Sequence, residues 1–375
     1  VVSDNKGRWS QSEKTITKNL GKDIRGTNTK YETTSYFYDA ATNKYTFDSY
    51  RLTENSRVNG QGNPITSITT TSIQDTDANG NLLFDDPPKN EIPTLVASDR
   101  SITNNSTRFV RGTPVTSDTK NLIYNTATKN WDFDNLVKTR NLRIDLKGNV
   151  LNSVRETLVQ DIDVATGNPK FDPSGKEVLI GSERVTTANF GFRHGTPLRS
   201  NVVTEVCNNN TLPATYELDT YRTTVNKVID ARGNPQQSVT ETFVAATAAA
   251  GKTAQDLANK LAAGGKLTDY FENSERVTTT NRGFIRNTPI YSESLTEIWN
   301  GTKYTADTFR VTENKAVDAQ GNVRKSIVTN YSIKDSLIDK SIEELAAIKG
   351  RMVDNFIGGD RQTISNNPRG GRFKK

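Results

Sequence analysis

The sequence predicts an all-β fold: a tandem array of four antiparallel β-hairpin-rich repeats of about 86 residues, with short helical inserts in repeats three and four. The first observation behind this is a ladder of residues that occurs four times. Gly-Asn pairs stand at Gly62-Asn63, Gly148-Asn149, Gly233-Asn234 and Gly321-Asn322, at intervals of 86, 85 and 88 residues. Fourteen residues before each Gly stand Asp48, Asp134, Asp219 and Asp307; nine before stand Thr53, Thr139, Thr224 and Thr312. Seven before stand Asn55, Asn141, Asn226 and Asn314; five after stand Ser67, Ser153, Ser238 and Ser326. The second observation is chemical: these shared residues are turn formers and small polar strand residues, not reactive groups. The third is composition. Apolar residues are 33% of the chain and mean hydropathy is −0.68, a thin supply for a thick core. Yet 14 Phe, 12 Tyr and 3 Trp argue against disorder, and the abundant Thr, Val and Tyr suit half-solvated sheets.

Each repeat opens with a short polar strand, as in Ser182-Glu183-Arg184 and Ser274-Glu275-Arg276, with Ser98-Asp99-Arg100 a third case. A turn follows at Arg111-Gly112-Thr113-Pro114, His194-Gly195-Thr196-Pro197 and Arg286-Asn287-Thr288-Pro289, and in degenerate form at Arg25-Gly26-Thr27-Asn28. Gly or Asn supplies a positive φ there and Pro fixes the exit. A second strand, then a long third strand such as Tyr304 to Asp318, lead to an Asp-x-x-Gly-Asn reversal at Asp145–Asn149, Asp230–Asn234 and Asp318–Asn322. A fourth strand leaves, as in Ser238 to Phe243.

After it the copies diverge. Thr253 to Phe271 and Ser341 to Phe356 read as helical, with Ser341 and Glu344 spaced as a capping box. Gln74 to Val96 and Gln160 to Ile180 read as hairpin-like inserts. The units are therefore 1–97, 98–181, 182–273 and 274–359, with 360–375 as a partial fifth repeat or connector tail. In that tail Asp360-Arg361-Gln362-Thr363 resembles an opening strand, and Arg369-Gly370-Gly371-Arg372 resembles the opening turn. It either closes against copy four or reaches a neighbouring molecule, since an unpaired strand edge templates pairing.

The Tyr- and Asp-containing strands ending in Asp-x-x-Gly-Asn resemble the YD-repeat sequences of rearrangement-hotspot shell proteins. Tyr221-Arg222 and Phe309-Arg310, with Asp230–Asn234 and Asp318–Asn322, carry the resemblance. It implies long antiparallel strands in one continuous sheet of a secreted or surface protein. The period departs from that family, whose units are much shorter, and the Tyr-Asp pair precedes no turn here, although Tyr38-Asp39 occurs elsewhere. Encapsulation does not carry over, because four units are too few for a large shell.

Candidate chemistry is sparse. Asp75, Asp77 and Asn79, with Asn81 and with Asp86 at position twelve, fit a calcium loop; Asp77 to Asn81 equally fits the recurring hairpin turn. No other cofactor is implied. His194 takes the turn position that Arg occupies in other copies, and Cys207, the one cysteine, recurs nowhere and cannot form an intrachain disulfide. A single Met (Met352) and a single His fit an exported protein, and the Val1-Val2 start reads as a processed product or an excised piece.

A net charge of +6 reads as solubility; the one basic cluster, Arg369, Arg372, Lys374 and Lys375, sits in a Gly-containing tail and implies no specific nucleic acid. No apolar run approaches a membrane-spanning length. The expectation is an extracellular or cell-surface structural protein, not an enzyme, forming a homo-oligomer or polymer of itself in a filament, sheath or stalk. The alternative is an adhesin or glycan-binding module using Trp131 and Trp299, two residues that fit strand core equally well.

Overall fold

The computed structural model describes residues 2–3, 9–10, 13–23, 26–39, 44–77, 81–85, 92–163, 165–208, 215–285, 287–317, 323–337, 340–341, 344–345 and 352–365. Seventeen of its strands form one sheet. The first four are β1 (Glu13–Lys22), β2 (Asn28–Asp39), β3 (Lys44–Val58) and β4 (Pro64–Gln74). Then come β5 (Leu95–Asn105), β6 (Thr116–Asn125), β7 (Asn130–Ile144) and β8 (Val150–Gln160). The third set is β9 (Leu179–Arg193), β10 (Thr196–Asn208), β11 (Thr215–Ile229) and β12 (Pro235–Ala245). The last are β13 (Phe271–Ile285), β14 (Thr288–Trp299), β15 (Tyr304–Val317), β16 (Val323–Ile333) and β17 (Phe356–Ser365).

Strands consecutive in the chain are neighbours in the sheet, and all these pairs are antiparallel. The order then closes, with β17 beside β1. The tandem β-hairpins read from the sequence are thus consecutive parts of one closed sheet. Asp360 to Thr363 lie within β17, which pairs with β16 through Ser326↔Ile364 and Ile327↔Thr363. Arg369 to Arg372 lie outside the described residues.

The repeated residues explain the bending. Each Asp of the ladder is the extra residue of a β-bulge. Asp48 is skipped between Ser35↔Ser49 and Tyr36↔Phe47, and Asp134 between Asn121↔Asn135 and Leu122↔Phe133. Asp219 and Asp307 are skipped in the same way in their copies. Ser98, Ser182 and Ser274 are the bulge residues of three opening strands. A further irregularity follows each ladder Asn, at Ser56, Leu142, Lys227 and Lys315. A bulge bends its strand and increases local twist, and bulges repeated at one register curl a sheet toward closure.

The sheet is wet on both faces. A compact protein of this mass exposes about 15,000 Å², whereas this chain exposes 22,722 Å². Apolar packing is concentrated in two small clusters, both beneath the later inserts. Leu218, Tyr221, Phe243 and Phe271 pack with Leu257 of helix α1 (Ala254–Ala262); Leu295, Phe309 and Phe356 pack with Leu345. Among the described residues, the inserts after β4 and β8 carry isolated bridges, Thr76↔Leu82, Phe84↔Pro93, Ile162↔Pro169 and Phe171↔Glu177. Elsewhere strand pairs rely on their ladders and on cross-strand polar contacts such as Thr53–Thr69, Thr103–Thr119 and Thr224–Thr240, with hydroxyls 3.1, 3.1 and 3.0 Å apart.

Turn-to-turn clasps tie hairpins together within a copy. The opening turns are two-residue reversals with both central residues at positive φ: Arg111 at 51° and Gly112 at 84°, His194 at 51° and Gly195 at 82°. Behind each sits the Asp-x-x-Gly-Asn turn. Thr113 Oγ1 donates to the Gly148 carbonyl at 2.9 Å, and Thr196 Oγ1 donates to that of Gly233. Each ladder Asn donates to the carbonyl beginning its second strand: Asn55 to Asn28, Asn141 to Pro114, Asn226 to Pro197 and Asn314 to Pro289, at 2.7–2.9 Å. Within the reversal, Asp230 Oδ1 accepts from Arg232 and Asn234 backbone N–H groups, and Oδ2 accepts from Asn234 Nδ2 at 2.9 Å. Asp145 is held alike by Asn149, and these bonds, the Asn side chain first, lower both carboxyl pKa values. Asp318–Asn322 lies outside the described residues.

The clasp makes a differential prediction. Gly233 has φ 90°, and a Cβ there would stand 2.7 Å from the His194 carbonyl; Gly195 has φ 82° but open space around it. Gly233→Ala is expected to cost about 2–3 kcal/mol and Gly195→Ala about 1 kcal/mol. Denaturant midpoints check this, and equal losses would contradict the clasp.

Candidate functional site

The most built part of the molecule is a row of charged side chains on the face that carries the helix. Residues directly opposite one another on neighbouring strands share a face. By that register Asp118, Lys138, Glu156, Arg184 and Glu205 cross β6 to β10 with alternating sign. The next copy repeats the end of the row with Glu241, Arg276 and Glu297. Arg184 holds Glu205 through two bonds, Nε to Oε2 and Nη2 to Oε1, both 2.6 Å. Arg276 holds Glu297 the same way, at 2.5 and 2.9 Å. Both carboxylates are fully buried, and each guanidinium lies over a ring, Tyr216 at 4.3 Å and Tyr304 at 4.7 Å. In the second copy Leu122 takes the place of the Glu, and Arg100 sits over Trp131 at 4.3 Å.

The buried carboxylate also anchors the insert. Glu205 Oε1 accepts the Ala254 N–H at 2.8 Å, in the first turn of α1. A negative charge is favourable there, and it satisfies a donor that the helix cannot satisfy itself. Thr253 and Asp256 complete the start as a capping box, and Leu257 is buried against the sheet. The Glu205 hydrogen bond raises the Arg184 pKa; burial opposes it, and the Glu205 and Glu156 charges add to the rise. Beside α1 a groove of about 400 Å³ is lined by Lys138, Arg140, Glu156, Arg184 and Gln255. In the fourth copy Ser341 N donates to Glu344 Oε2 at 2.7 Å and Glu344 N to Ser341 Oγ at 3.3 Å, the capping-box geometry expected from their spacing. These arrangements hold an insert against a sheet; they place no nucleophile beside a base.

The structure separates the candidates read from the sequence. Asp77 Oδ1 accepts the Asn81 backbone N–H at 2.8 Å and Oδ2 accepts Asn81 Nδ2 at 2.9 Å, the bonding of the Asp145 and Asp230 turns. Asp75 Oδ1 accepts the Thr76 N–H at 2.8 Å. Asn79 and Asp86 lie outside the described residues. No group of three or more His, Cys, Asp or Glu side chains converges among the described residues. His194 is a turn residue at positive φ. Burial pushes the Cys207 thiol pKa up, away from the thiolate that a nucleophile needs. Trp131 packs edge-on against Tyr124 at 5.2 Å and Trp299 against Tyr304 at 5.1 Å, so both rings belong to cross-strand pairs. Sequence reasoning missed Glu205 and Glu297. Their signal was present: each follows its Arg by the same 21 residues.

No family model matches the chain, and no curated protein matches it. Among solved structures it is similar to a protein of unknown function from Bacteroides fragilis, with 12% identity and a TM-score of 0.24, covering 45% of this chain and 93% of that one. It is also similar to the Tc holotoxin pore of Photorhabdus luminescens, with 9% identity and a TM-score of 0.21, covering 87% of this chain and 22% of that one.

The anchor can be tested by substitution. Glu205→Ala leaves the Arg184 guanidinium and the Ala254 N–H without their acceptor and is expected to cost about 3 kcal/mol; Glu205→Gln keeps an acceptor and should cost less. Amide hydrogen exchange across 254–262 reads the loss. Unchanged protection in Glu205→Ala would show that the helix is held by other contacts.

Proposed function

We propose that this is a structural repeat protein of the cell exterior, a subunit or segment of a filament, sheath or stalk that assembles head to tail through strand edges. The carrying observation is that the residues recurring between copies make bulges, turns and clasps. The repeat multiplies scaffold, not chemistry. The long strands suit a load-bearing sheet, since each is tied to its neighbours by a run of backbone hydrogen bonds. The exposed, polar character of both faces suits an aqueous setting.

Two rows of opposed residues bear on the setting. On one face run Asp118, Lys138, Glu156, Arg184 and Glu205; on the other run Thr103, Thr119, Val137, Thr157, Glu183 and Val206. Neither is the apolar band that a lipid-facing barrel surface needs. No helix among the described residues is long and apolar enough to cross a membrane. The connector in this reading is β17, with Asp360, Arg361, Gln362 and Thr363.

Negative-stain imaging of the purified protein over a concentration series tests the proposal. Elongated assemblies are expected from the full chain, and folded particles that do not elongate are expected after deletion of 360–375. Equal elongation by the two would remove β17 as the connector. Uniform isolated particles at every concentration would remove assembly itself.

A further inference from the structure

The seam of the ring differs from every other joint in it. Sixteen neighbouring pairs are held by antiparallel ladders of seven or more opposed residues. Direction alternates at each of them, so the first and the seventeenth strands run the same way. Strand order places β17 beside β1, yet no ladder of opposed residues joins them among the described residues. They are also the one neighbouring pair in the ring that is not consecutive in the chain. Two strands running the same way cannot share a tight turn, so no hairpin reinforces this joint.

The strands that meet there are the same element. Within the ring the opening strands β5, β9 and β13 each lie between a fourth strand and a second strand. Their central residues Thr103, Thr187 and Thr279 face Ser67, Ser153 and Ser238 on one side. On the other side they face Thr119, Val202 and Ser294. In β17, Ile364 faces Ser326 of a fourth strand; in β1, Thr17 faces Thr33 of a second strand. Each seam strand thus has one of the two neighbours typical of its position, and turns its remaining edge to a strand of its own kind.

We infer that this seam is the opening joint of the ring, and that a second copy of this chain is its alternative partner. Separation of β1 from β17 exposes two edges that fit each other as well between copies as within one. Joining β17 of one copy to β1 of the next repeats the seam contact at a head-to-tail interface, which propagates unless it closes on itself. The closed ring is then the self-capped form of the assembling unit. Which form dominates is set by protein concentration against the effective concentration of the two edges within one chain. The inference rests on the proposed head-to-tail assembly and supplies its partner and its regulation.

A cross-linking experiment on the full chain tests it. In a Cys207→Ser background, Lys18→Cys on β1 and Gln362→Cys on β17 are joined by a short bis-maleimide; both positions are exposed. If the pair disturbs folding, as read by circular dichroism, Leu20→Cys replaces Lys18→Cys. Dilute protein should give cross-linked monomers, and concentrated protein a ladder of covalent multimers. Rings locked while dilute and then concentrated should lose at least ten-fold in elongation relative to unlocked protein. Locked rings that elongate normally would overturn the seam as the joint while leaving assembly intact. The absence of both ladders and elongated particles at all concentrations would overturn the seam and the assembly reading together.

Discussion

The fold depends on a constraint that a layered domain escapes: a single sheet exposed on both faces must take its shape from its own backbone. Burial contributes in proportion to the apolar area removed from water, and here that area is concentrated in two clusters under inserts. Ladder hydrogen bonds hold neighbouring strands but do not dictate how a sheet curves. The bulges supply the curvature. Asp48, Asp134, Asp219 and Asp307 add an unpaired residue at one level of the sheet, and Ser98, Ser182 and Ser274 add one on opening strands. Asp is a poor residue for a regular ladder, which is why its recurrence inside a long strand is informative.

The buried Arg–Glu pairs follow from the same architecture. In the third and fourth copies an insert covers the sheet, and covering brings a carboxylate out of water. Burying a lone carboxylate would be costly; here a bidentate guanidinium neutralises it, an aromatic ring flanks the cation, and at Glu205 a helix N–H takes up the remaining acceptor capacity. Among the described residues the second copy has no helix after its fourth strand, and it has Leu122 where the later copies have Glu. Charge partner and insert thus occur together, as expected if the Glu serves the insert.

Much of the frame was legible in the sequence, because turns and periodic spacing are local signals. The reversals at Asp145–Asn149 and Asp230–Asn234, the helix after Thr253 and the capping pair Ser341 and Glu344 are fixed by residues within a few positions of one another. The bulge role of the repeated Asp was not legible, since a bulge is a relation between two strands. The Arg184–Glu205 pair was missed for the same reason: its partners meet through register across a hairpin. Ring closure is less local still. It sums small bends over seventeen strands, and no local spacing in the sequence records that sum.

Closure of the curled sheet is the central claim, and the separation of its first and last strands in dilute solution tests it most directly. Spin labels at Lys18 and Gln362, measured by pulsed dipolar spectroscopy, would lie on neighbouring strands in the ring, within about 30 Å even with flexible label arms. In an extended array of seventeen strands spaced roughly 4.8 Å apart, the same labels would be separated by roughly 75 Å. Closure requires a narrow short distance in monomeric protein; a distribution centred near the longer value would rule closure out.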